Sequence, residues 1–121
     1  MEWRADQPIY RQIADVIADR IVDASLLEGS SIPSVRQLAS DFRVNHLTVN
    51  KAYQSLIDDE VLCAKRGVGV FVCEGARAKL RDTLRHTFFD IELPRVYDKA
   101  QRLGINSRQL CDRFVQWEQE Q

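Results

Sequence analysis

The chain begins with an apolar stripe at helical spacing. Isoleucine recurs every four residues, at Ile9, Ile13, Ile17 and Ile21. Charged residues such as Asp15, Asp19 and Arg20 fall between these positions. Residues four apart lie on one face of an α-helix, so the pattern predicts an amphipathic helix with one buried side. We expect it to run from about Pro8 to Ala24, with the proline in its first turn.

Two shorter helical patterns follow, separated by a few residues. Ser34 precedes the first of them and fits a capping box with Gln37, in which each side chain satisfies a free backbone donor. Arg43-Val44 predicts a tight turn, and Asn45 is a good N-cap for the next helix, which runs to about residue 59. The positions predicted to be buried in these two helices are Leu38, Ala39, Phe42, Val49, Ala52, Tyr53, Leu56 and Ile57. Together they predict a helix-turn-helix.

The next segment has the pattern of two short strands. Val61–Ala64 and Val70–Cys73 flank a polar turn that contains glycine, which predicts a β-hairpin. Two strands alone are only marginally stable, so we expect the hairpin to pack against the helices. A helix-turn-helix followed by a hairpin is a winged helix, with Lys65-Arg66-Gly67 at the tip of the wing. Residues 28–33, before the second helix, lack periodicity and predict a turn.

The C-terminal part of the chain has further helical patterns. Apolar residues recur every three or four positions from Ala76 onward. Pro94 predicts a break or bend between Asp90 and Pro94, since proline interrupts the hydrogen bonds of a helix. Gly104 predicts the end of the following helix, and Asn106 predicts the cap of the last one.

These 46 C-terminal residues are too few for an independent core, so their apolar stripes predict association with a second copy of the chain. The residues assigned to this dimer interface are Leu80, Leu84, Phe88, Ile91, Val96, Leu110 and Phe114. The predicted fold is mainly α with a small β-hairpin. Residues 1–75 form a winged helix-turn-helix domain, and residues 76–121 form a short helical dimerisation domain.

The distribution of charge matters more than its sum. The 121 residues carry a net charge of −1, and residues 1–75 hold eight basic and eleven acidic side chains. Within residues 29–56, however, three basic side chains accompany a single acidic one, Asp41. Lys65 and Arg66 add a second basic step. A fold that places these residues on one face would create a local positive patch on a nearly neutral molecule.

Several classes of protein are excluded by what the sequence lacks. No apolar stretch reaches the roughly 18 residues that a membrane span needs, and no apolar run near the N-terminus predicts a signal peptide. Cys63, Cys73 and Cys111 are odd in number and lack CxxC spacing, which is typical of buried, reduced thiols in the cytoplasm. No phosphate-binding glycine loop, HExxH or GxSxG motif occurs. We expect no enzyme activity, no cofactor and no metal site.

The order and spacing of short motifs in residues 8–73 resemble the DNA-binding domain of the GntR family of bacterial transcription regulators. The residues that carry the resemblance are Pro8-Ile9-Tyr10-Arg11-Gln12-Ile13, Gly29, Ile32-Pro33-Ser34-Val35-Arg36-Gln37-Leu38-Ala39, Val44-Asn45-His46-Leu47-Thr48-Val49-Asn50-Lys51-Ala52-Tyr53, Leu56 and Gly67-Val68-Gly69-Val70-Phe71-Val72. The short tail, its Arg102-Leu103-Gly104-Ile105 turn and the Asn-x-x-Thr-Val-x-Lys-Ala-Tyr run are similar to the YtrA subfamily. Many relatives have arginine at the positions of His46 and Asn50, and the YtrA-like ones often have proline at the position of His46.

The resemblance implies a cytoplasmic, homodimeric repressor that binds a palindromic operator of its own operon, in many relatives an ABC-type transporter operon. It implies that the start of the third helix enters the major groove while the wing tip contacts the minor groove or its phosphates. The residues it assigns to DNA binding are Ser34, Arg36, Asn45, His46, Thr48, Asn50, Lys51, Lys65, Arg66 and Gly67.

Other interpretations remain open from the residues themselves. The polar start of the third helix could be a solvated surface, and Arg36 could pair with Asp41 or Asp6. A winged helix can also serve as a protein-interaction module, which the acidic balance of residues 1–75 favours. A third alternative is a small-molecule binder. Any effector of a regulator with this short tail would bind at the dimer interface or between the domains.

Overall fold

The computed structural model describes residues 2–121, which form two compact units, one ending at Asp82 and the other spanning Thr83–Gln121. The first unit holds α1 (Ile9–Val22), α2 (Val35–Phe42), α3 (His46–Asp58), β1 (Leu62–Lys65) and β2 (Gly69–Val72). Helix α4 (Ala76–Thr87) crosses the division, and a π-helical segment (Phe88–Glu92), α5 (Leu93–Arg102) and α6 (Ser107–Gln119) follow. The predicted class, mainly α with a winged helix-turn-helix and a helical C-terminal part, is confirmed.

The core of the first unit is built from the apolar stripes of its helices. Ile13, Ile17 and Ile21 are buried as the four-residue spacing predicts, but Ile9 is 39% exposed because it lies in the first turn of α1. Pro8 stands just before that turn, at the N-cap position rather than inside the helix. From α2 and α3 the core receives Leu38, Ala39, Val49, Ala52, Tyr53 and Leu56, while Phe42 and Ile57 are partly buried against it.

Side-chain caps begin the two short helices. Ser34 Oγ accepts the backbone N–H of Gln37 at 3.1 Å, and Asn45 Oδ1 accepts that of Leu47 at 2.7 Å, as the sequence predicts. The predicted capping box is not completed, since the Gln37 side chain extends toward Asp41, where its Nε2 donates to Asp41 Oδ1 at 2.8 Å. The four-residue spacing brings this charged acceptor within reach on the same helical face.

A segment before α2 pairs with the hairpin, and the sequence pattern does not predict this. Strands β1 and β2 pair antiparallel, with Leu62 opposite Val72 and Lys65 opposite Gly69. Residues 29–32, predicted as a turn, lie along the free edge of β2. The Ile32 N–H donates to the Val70 carbonyl at 2.9 Å, and the Val72 N–H donates to the Ser30 carbonyl at 3.0 Å. This pairing satisfies an edge that would otherwise be open, in a stretch too short to show strand periodicity.

The compact units divide seven residues later than the predicted domain boundary at residues 75–76. Ala76 is 1% exposed in the core of the first unit, and Leu80 packs against that core. Arg77 Nε donates to the Val22 carbonyl at 2.9 Å, and Lys79 Nζ donates to the Asp59 carbonyl at 2.6 Å. The first turns of α4 therefore stabilise the winged helix, and Leu80 has an apolar contact within its own chain.

The helical backbone continues past Pro94, and a π-helical segment lies where a break or bend was predicted. Phe88–Glu92 forms a π-helical segment, and Glu92 and Leu93 keep right-handed helical backbone angles on entering α5. Proline lacks an N–H and its ring crowds the carbonyl four residues earlier, which here belongs to Asp90. A π turn shifts the bonding pattern by one residue, which is one of the usual ways a helix absorbs such a defect.

Helix α5 ends and helix α6 begins at the residues that the sequence predicts. Gly104 follows α5 with φ of 69°, a left-handed conformation that glycine adopts without strain. The Ile105 N–H donates to the Ala100 carbonyl at 2.9 Å and the Gly104 N–H to the Gln101 carbonyl at 3.2 Å, the two bonds of a Schellman motif. Asn106 then caps α6 in a complete capping box with Gln109. Both predicted helix signals are confirmed.

The three cysteines are less buried than predicted. Cys63 and Cys73 are half-buried, and Cys111 is exposed; all three are free. Burial, with a smaller contribution from the neighbouring Cys63 thiol, raises the pKa of Cys73 above its ordinary value. Within residues 2–121, no three metal-ligating side chains converge, and no helix is both long and apolar enough to cross a bilayer.

Candidate nucleic-acid interface

The first turns of α3 present polar side chains to solvent. His46 and Asn50 lie one turn apart on the same flank of the helix, and both are exposed. Within the described chain, residues 2–121, neither side chain has a hydrogen-bond or ion-pair partner. Thr48 lies on the other flank and is half-buried. Donor and acceptor groups at the start of an exposed helix are suited to the base edges of a major groove.

Two of the residues assigned to DNA also cap helices, which leaves them only part of their hydrogen-bonding capacity. Asn45 Oδ1 is occupied by the Leu47 N–H, so the amide of Asn45 remains as a donor. Ser34 Oγ accepts from Gln37, which leaves the hydroxyl proton to donate. Donors at the start of a helix are suited to the oxygen atoms of a phosphate, which only accept hydrogen bonds.

Lys51 is held by an aromatic ring of α1. Its Nζ lies 4.3 Å from the centre of the Tyr10 ring, and the guanidinium of Arg11 lies 5.7 Å from the same ring. This cation–π contact holds the lysine ammonium against a ring of α1. An open depression of about 370 Å³ lies here, lined by Ile9, Tyr10, Leu47, Thr48 and Lys51.

Arg36 is available for an external partner. It lies in the first turn of α2 and is exposed. The two carboxylates considered as partners are engaged elsewhere, since Asp41 accepts from Gln37 and Asp6 pairs with Arg4 at 3.7 Å. No ion pair of Arg36 is found in the part of the chain that the structure describes. Its guanidinium is free to neutralise a phosphate.

The tip of the wing is basic and glycine-bearing. Lys65 ends β1, and Arg66 and Gly67 follow in the exposed turn, where the glycine has φ of 76°. Lys65 Nζ lies 4.8 Å from the centre of the Phe71 ring on the opposite strand. The ring supports the lysine, and the left-handed glycine lets the backbone turn tightly between two strands that place both cations at one end of the hairpin.

Tyr53 ties α3 to the segment that precedes α2. Its side chain is buried, and its hydroxyl donates to the Pro33 carbonyl at 2.6 Å. Pro33 stands next to Ser34, so this bond fixes the start of α2 relative to α3. Burial raises the pKa of Tyr53 to about 12 from its ordinary 10.0.

Replacing Tyr53 with phenylalanine should lower the free energy of unfolding by about 1 kcal/mol, because the hydrogen bond from its hydroxyl to the Pro33 carbonyl is lost. Urea denaturation at pH 7 followed by circular dichroism measures this difference. The wild type should also lose stability as the pH rises from 10 toward 12. In that window the folded tyrosine keeps the proton that the unfolded one releases, so stability falls with pH. The phenylalanine variant should lack this component, and equal pH profiles for the two proteins would contradict it.

The aromatic rings under the two lysines are the part of this surface that sequence analysis does not assign. Tyr10 precedes Lys51 by 41 positions, and Phe71 follows Lys65 across the hairpin. In the hairpin, Lys65 lies opposite Gly69, two residues before Phe71, so the predicted hairpin could have indicated this contact. Nothing in the local pattern could have paired Tyr10 with Lys51, because that contact depends on the packing of α1 against α3.

Comparison with known proteins places this surface in a family. Residues 9–72 match the family described as bacterial regulatory proteins, gntR family. The chain is 30% identical over 111 residues to the HTH-type transcriptional regulator YhcF of Bacillus subtilis (strain 168), covering 92% of this chain and 90% of YhcF. It is 29% identical to the HTH-type transcriptional repressor YtrA of the same organism, covering 88% of this chain and 82% of YtrA.

Solved structures of related proteins superpose on this chain, one over nearly its whole length and another over the winged helix alone. A GntR family transcriptional regulator from Listeria monocytogenes superposes with a TM-score of 0.74 at 26% identity, covering 98% of this chain and 99% of that chain. The DNA-binding domain of AraR, solved in complex with operator ORR3, superposes with a TM-score of 0.55 at 27% identity, covering 60% of this chain and 88% of that chain. The chain therefore belongs to the GntR family, and it is a DNA-binding helix-turn-helix transcriptional regulator rather than an enzyme.

Proposed function

We propose that this regulator is a homodimeric repressor that binds a palindromic operator through the start of α3, the first turn of α2 and the wing. The observation that carries the proposal is the pair of exposed side chains, His46 and Asn50, with no partner within residues 2–121. With Thr48 and Lys51 they would discriminate between bases. Phosphate contacts would come from Ser34, Arg36, Asn45, Lys65, Arg66 and the backbone at Gly67.

The distribution of acidic residues is compatible with this surface. The run Asp58-Asp59-Glu60 lies at the C-terminal end of α3 and just beyond it, about 18 Å along the helix axis from His46. Part of this run faces its own chain, since Gln54 Nε2 donates to Asp58 and Lys79 Nζ lies 3.7 Å from Glu60. At the other end of α3, the helix N-terminus adds its own partial positive charge, which favours an anion such as phosphate.

The second unit supports the proposal of a homodimer. Of residues 83–121, all of which the structure describes, Ala100 alone is buried. Large apolar side chains of this unit are 38–63% exposed, namely Leu84, Phe88, Phe89, Ile91, Val96, Tyr97, Leu103, Phe114, Val115 and Trp117. So many half-exposed apolar groups on 39 residues are more than a soluble monomer usually carries. A second copy of the chain would cover them.

A symmetric dimer has consequences for the operator. Two copies related by a two-fold axis would place two α3 helices in successive major grooves. The half-sites would then be inverted repeats with centres about 10 base pairs apart or somewhat more. The likeness to the repressor YtrA supports repression as the mode of action. The resemblance to its subfamily further supports control of the protein's own operon, with an ABC-type transporter among the neighbouring genes. It also supports a location of the protein in the cytoplasm.

A protein-interaction role for the winged helix is the second candidate. The surplus of acidic over basic residues in positions 1–75 favours it. In that case a partner protein would contact a surface other than the start of α3, and substitutions at His46 and Asn50 would leave its binding unchanged.

Binding to DNA from upstream of the protein's own gene tests the proposal directly. Fluorescence anisotropy over a salt series should show tight binding that weakens steeply with salt, because each neutralised phosphate adds about 0.9 to the slope of log affinity against log salt. The variant Lys65→Gln/Arg66→Gln removes two cations from each subunit of the dimer, so it should reduce that slope by about four and weaken binding to all sequences alike. As a matched control, Arg95→Gln/Arg113→Gln removes two exposed charges from the second unit and should leave the slope unchanged.

Each outcome of this titration has a definite meaning. Specific binding with two chains per site supports a dimeric regulator of its own gene. Equal, weak affinity for upstream and scrambled DNA would contradict autoregulation, and a slope that the wing variant does not change would remove Lys65 and Arg66 from the interface.

A further inference from the structure

Leu47 is a large apolar side chain at the start of α3 that the fold does not bury. It is the second residue of the helix, between His46 and Thr48, and it is 65% exposed. Its backbone N–H donates to the side chain of the Asn45 cap at 2.7 Å. The neighbouring apolar groups of the shallow depression, Ile9 and Tyr10, leave most of its surface in solvent.

The helical geometry puts Leu47 in the middle of the exposed face. At about 100° per residue, it points about 160° away from Val49, a buried residue of the core. His46 and Asn50 lie on one flank of this face, and Thr48 lies on the other. If side chains on both flanks contact DNA, the leucine between them must face the floor of the same groove.

We propose that Leu47 is a specificity-determining residue that contacts the C5-methyl group of a thymine in each half-site. This inference rests on the proposed function, since it requires the start of α3 to lie in the major groove. The thymine methyl is the apolar group that the major groove presents, and aliphatic side chains recognise it by excluding water. An exposed leucine gains by such a contact, whereas a phosphate or a base amide would lose hydration against it.

Replacing thymine with deoxyuridine removes this methyl group and nothing else. Operators are first selected from random duplex DNA with the wild-type protein, and each thymine of one half-site is then replaced in turn. We expect one position at which wild-type affinity falls about fourfold, the effect of one lost apolar methyl contact. The variant Leu47→Ala should bind the thymine and deoxyuridine duplexes equally at that position.

Leu27→Ala is the matched control, because Leu27 is 62% exposed in the loop after α1, outside α2, α3 and the wing. It should keep the wild-type preference for thymine. Both leucines are exposed, so both variants should fold, and circular dichroism checks this.

A Leu47→Ala variant that retains the thymine preference would overturn the proposal while leaving DNA binding intact. So would a half-site in which no thymine is sensitive to loss of its methyl group. Failure of the wild-type protein to select any sequence is a different result, because it would contradict the proposed function itself.

Discussion

Replacing both His46 and Asn50 with alanine lowers the affinity for the operator by at least about a hundredfold. Each side chain that contacts a base edge contributes about 1–3 kcal/mol of discrimination, and a dimer of the variant loses four such contacts, two in each half-site. The fold should be nearly unaffected, within about 0.5 kcal/mol, because both side chains are exposed and neither has a partner within residues 2–121. Alanine is also a better helix former than either residue it replaces. Anisotropy titration with the selected operator measures the loss.

Binding to scrambled DNA distinguishes a loss of base recognition from misfolding of the double variant. Arg36 and the basic wing tip are untouched in the double variant, so affinity for scrambled DNA at low salt should persist. Gln54→Ala is the control on the same helix, since Gln54 is exposed but its amide binds only Asp58, at 2.9 Å. That variant should bind the operator as the wild type does. Wild-type operator affinity in the double variant would mean that α3 does not read the bases.

Replacing Phe114 with glutamate should convert the proposed dimer to a monomer. Phe114 is half-exposed on α6, and its ring lies 5.8 Å from that of Trp117 in an edge-to-face arrangement. Leu110 and Trp117 share its helical face, so a carboxylate at this position would have to be buried in the middle of the proposed interface. We expect dimer affinity to fall by at least about a hundredfold, since burying an unpaired charge costs several kcal/mol. Sedimentation equilibrium measures the dissociation constant.

Loss of the dimer should also weaken operator binding. A second recognition helix attached to the first binds its half-site intramolecularly, and that advantage commonly amounts to about 10²–10⁴ in affinity. The Phe114→Glu variant should therefore bind a full palindrome little better than a single half-site. Gln116→Glu adds the same charge to another face of α6 and should leave both properties unchanged. A wild-type protein that is monomeric at micromolar concentration would contradict the proposed dimer.

Local chemistry made most of the first unit predictable. The caps at Ser34 and Asn45, and the buried stripe of α3, depend on residues within a few positions of one another. Each therefore leaves a mark in a short window of sequence. The same is true of the α5 terminus at Gly104 and the complete capping box at Asn106. Every residue assigned to DNA contact is exposed except Thr48, which is half-buried, and their contacts with DNA stay a prediction.

Competing local interactions explain where the predictions were wrong. The sequence predicted that the Gln37 side chain reaches back to the start of α2. In the structure, its amide donates to the carboxylate of Asp41 instead. Pro94 predicted a break or bend between Asp90 and Pro94, and the structure has a π-helical segment there, at Phe88–Glu92, with no interruption of the helical backbone. Residues 29–32 were predicted as a turn because a strand of this length has no readable period, and its pairing partner, β2, lies about 40 positions away.

The sequence by itself determined the succession of helices and strands, the polar start of α3, the basic wing tip and the family that combines them. Only the tertiary structure decided which of those side chains remain free. It placed Lys51 over Tyr10, joined Tyr53 to Pro33, and brought the first turns of α4 into the core of the first unit. The physical reason is distance along the chain: periodicity and capping act over one or two turns, whereas these contacts join residues that only the packed core brings together.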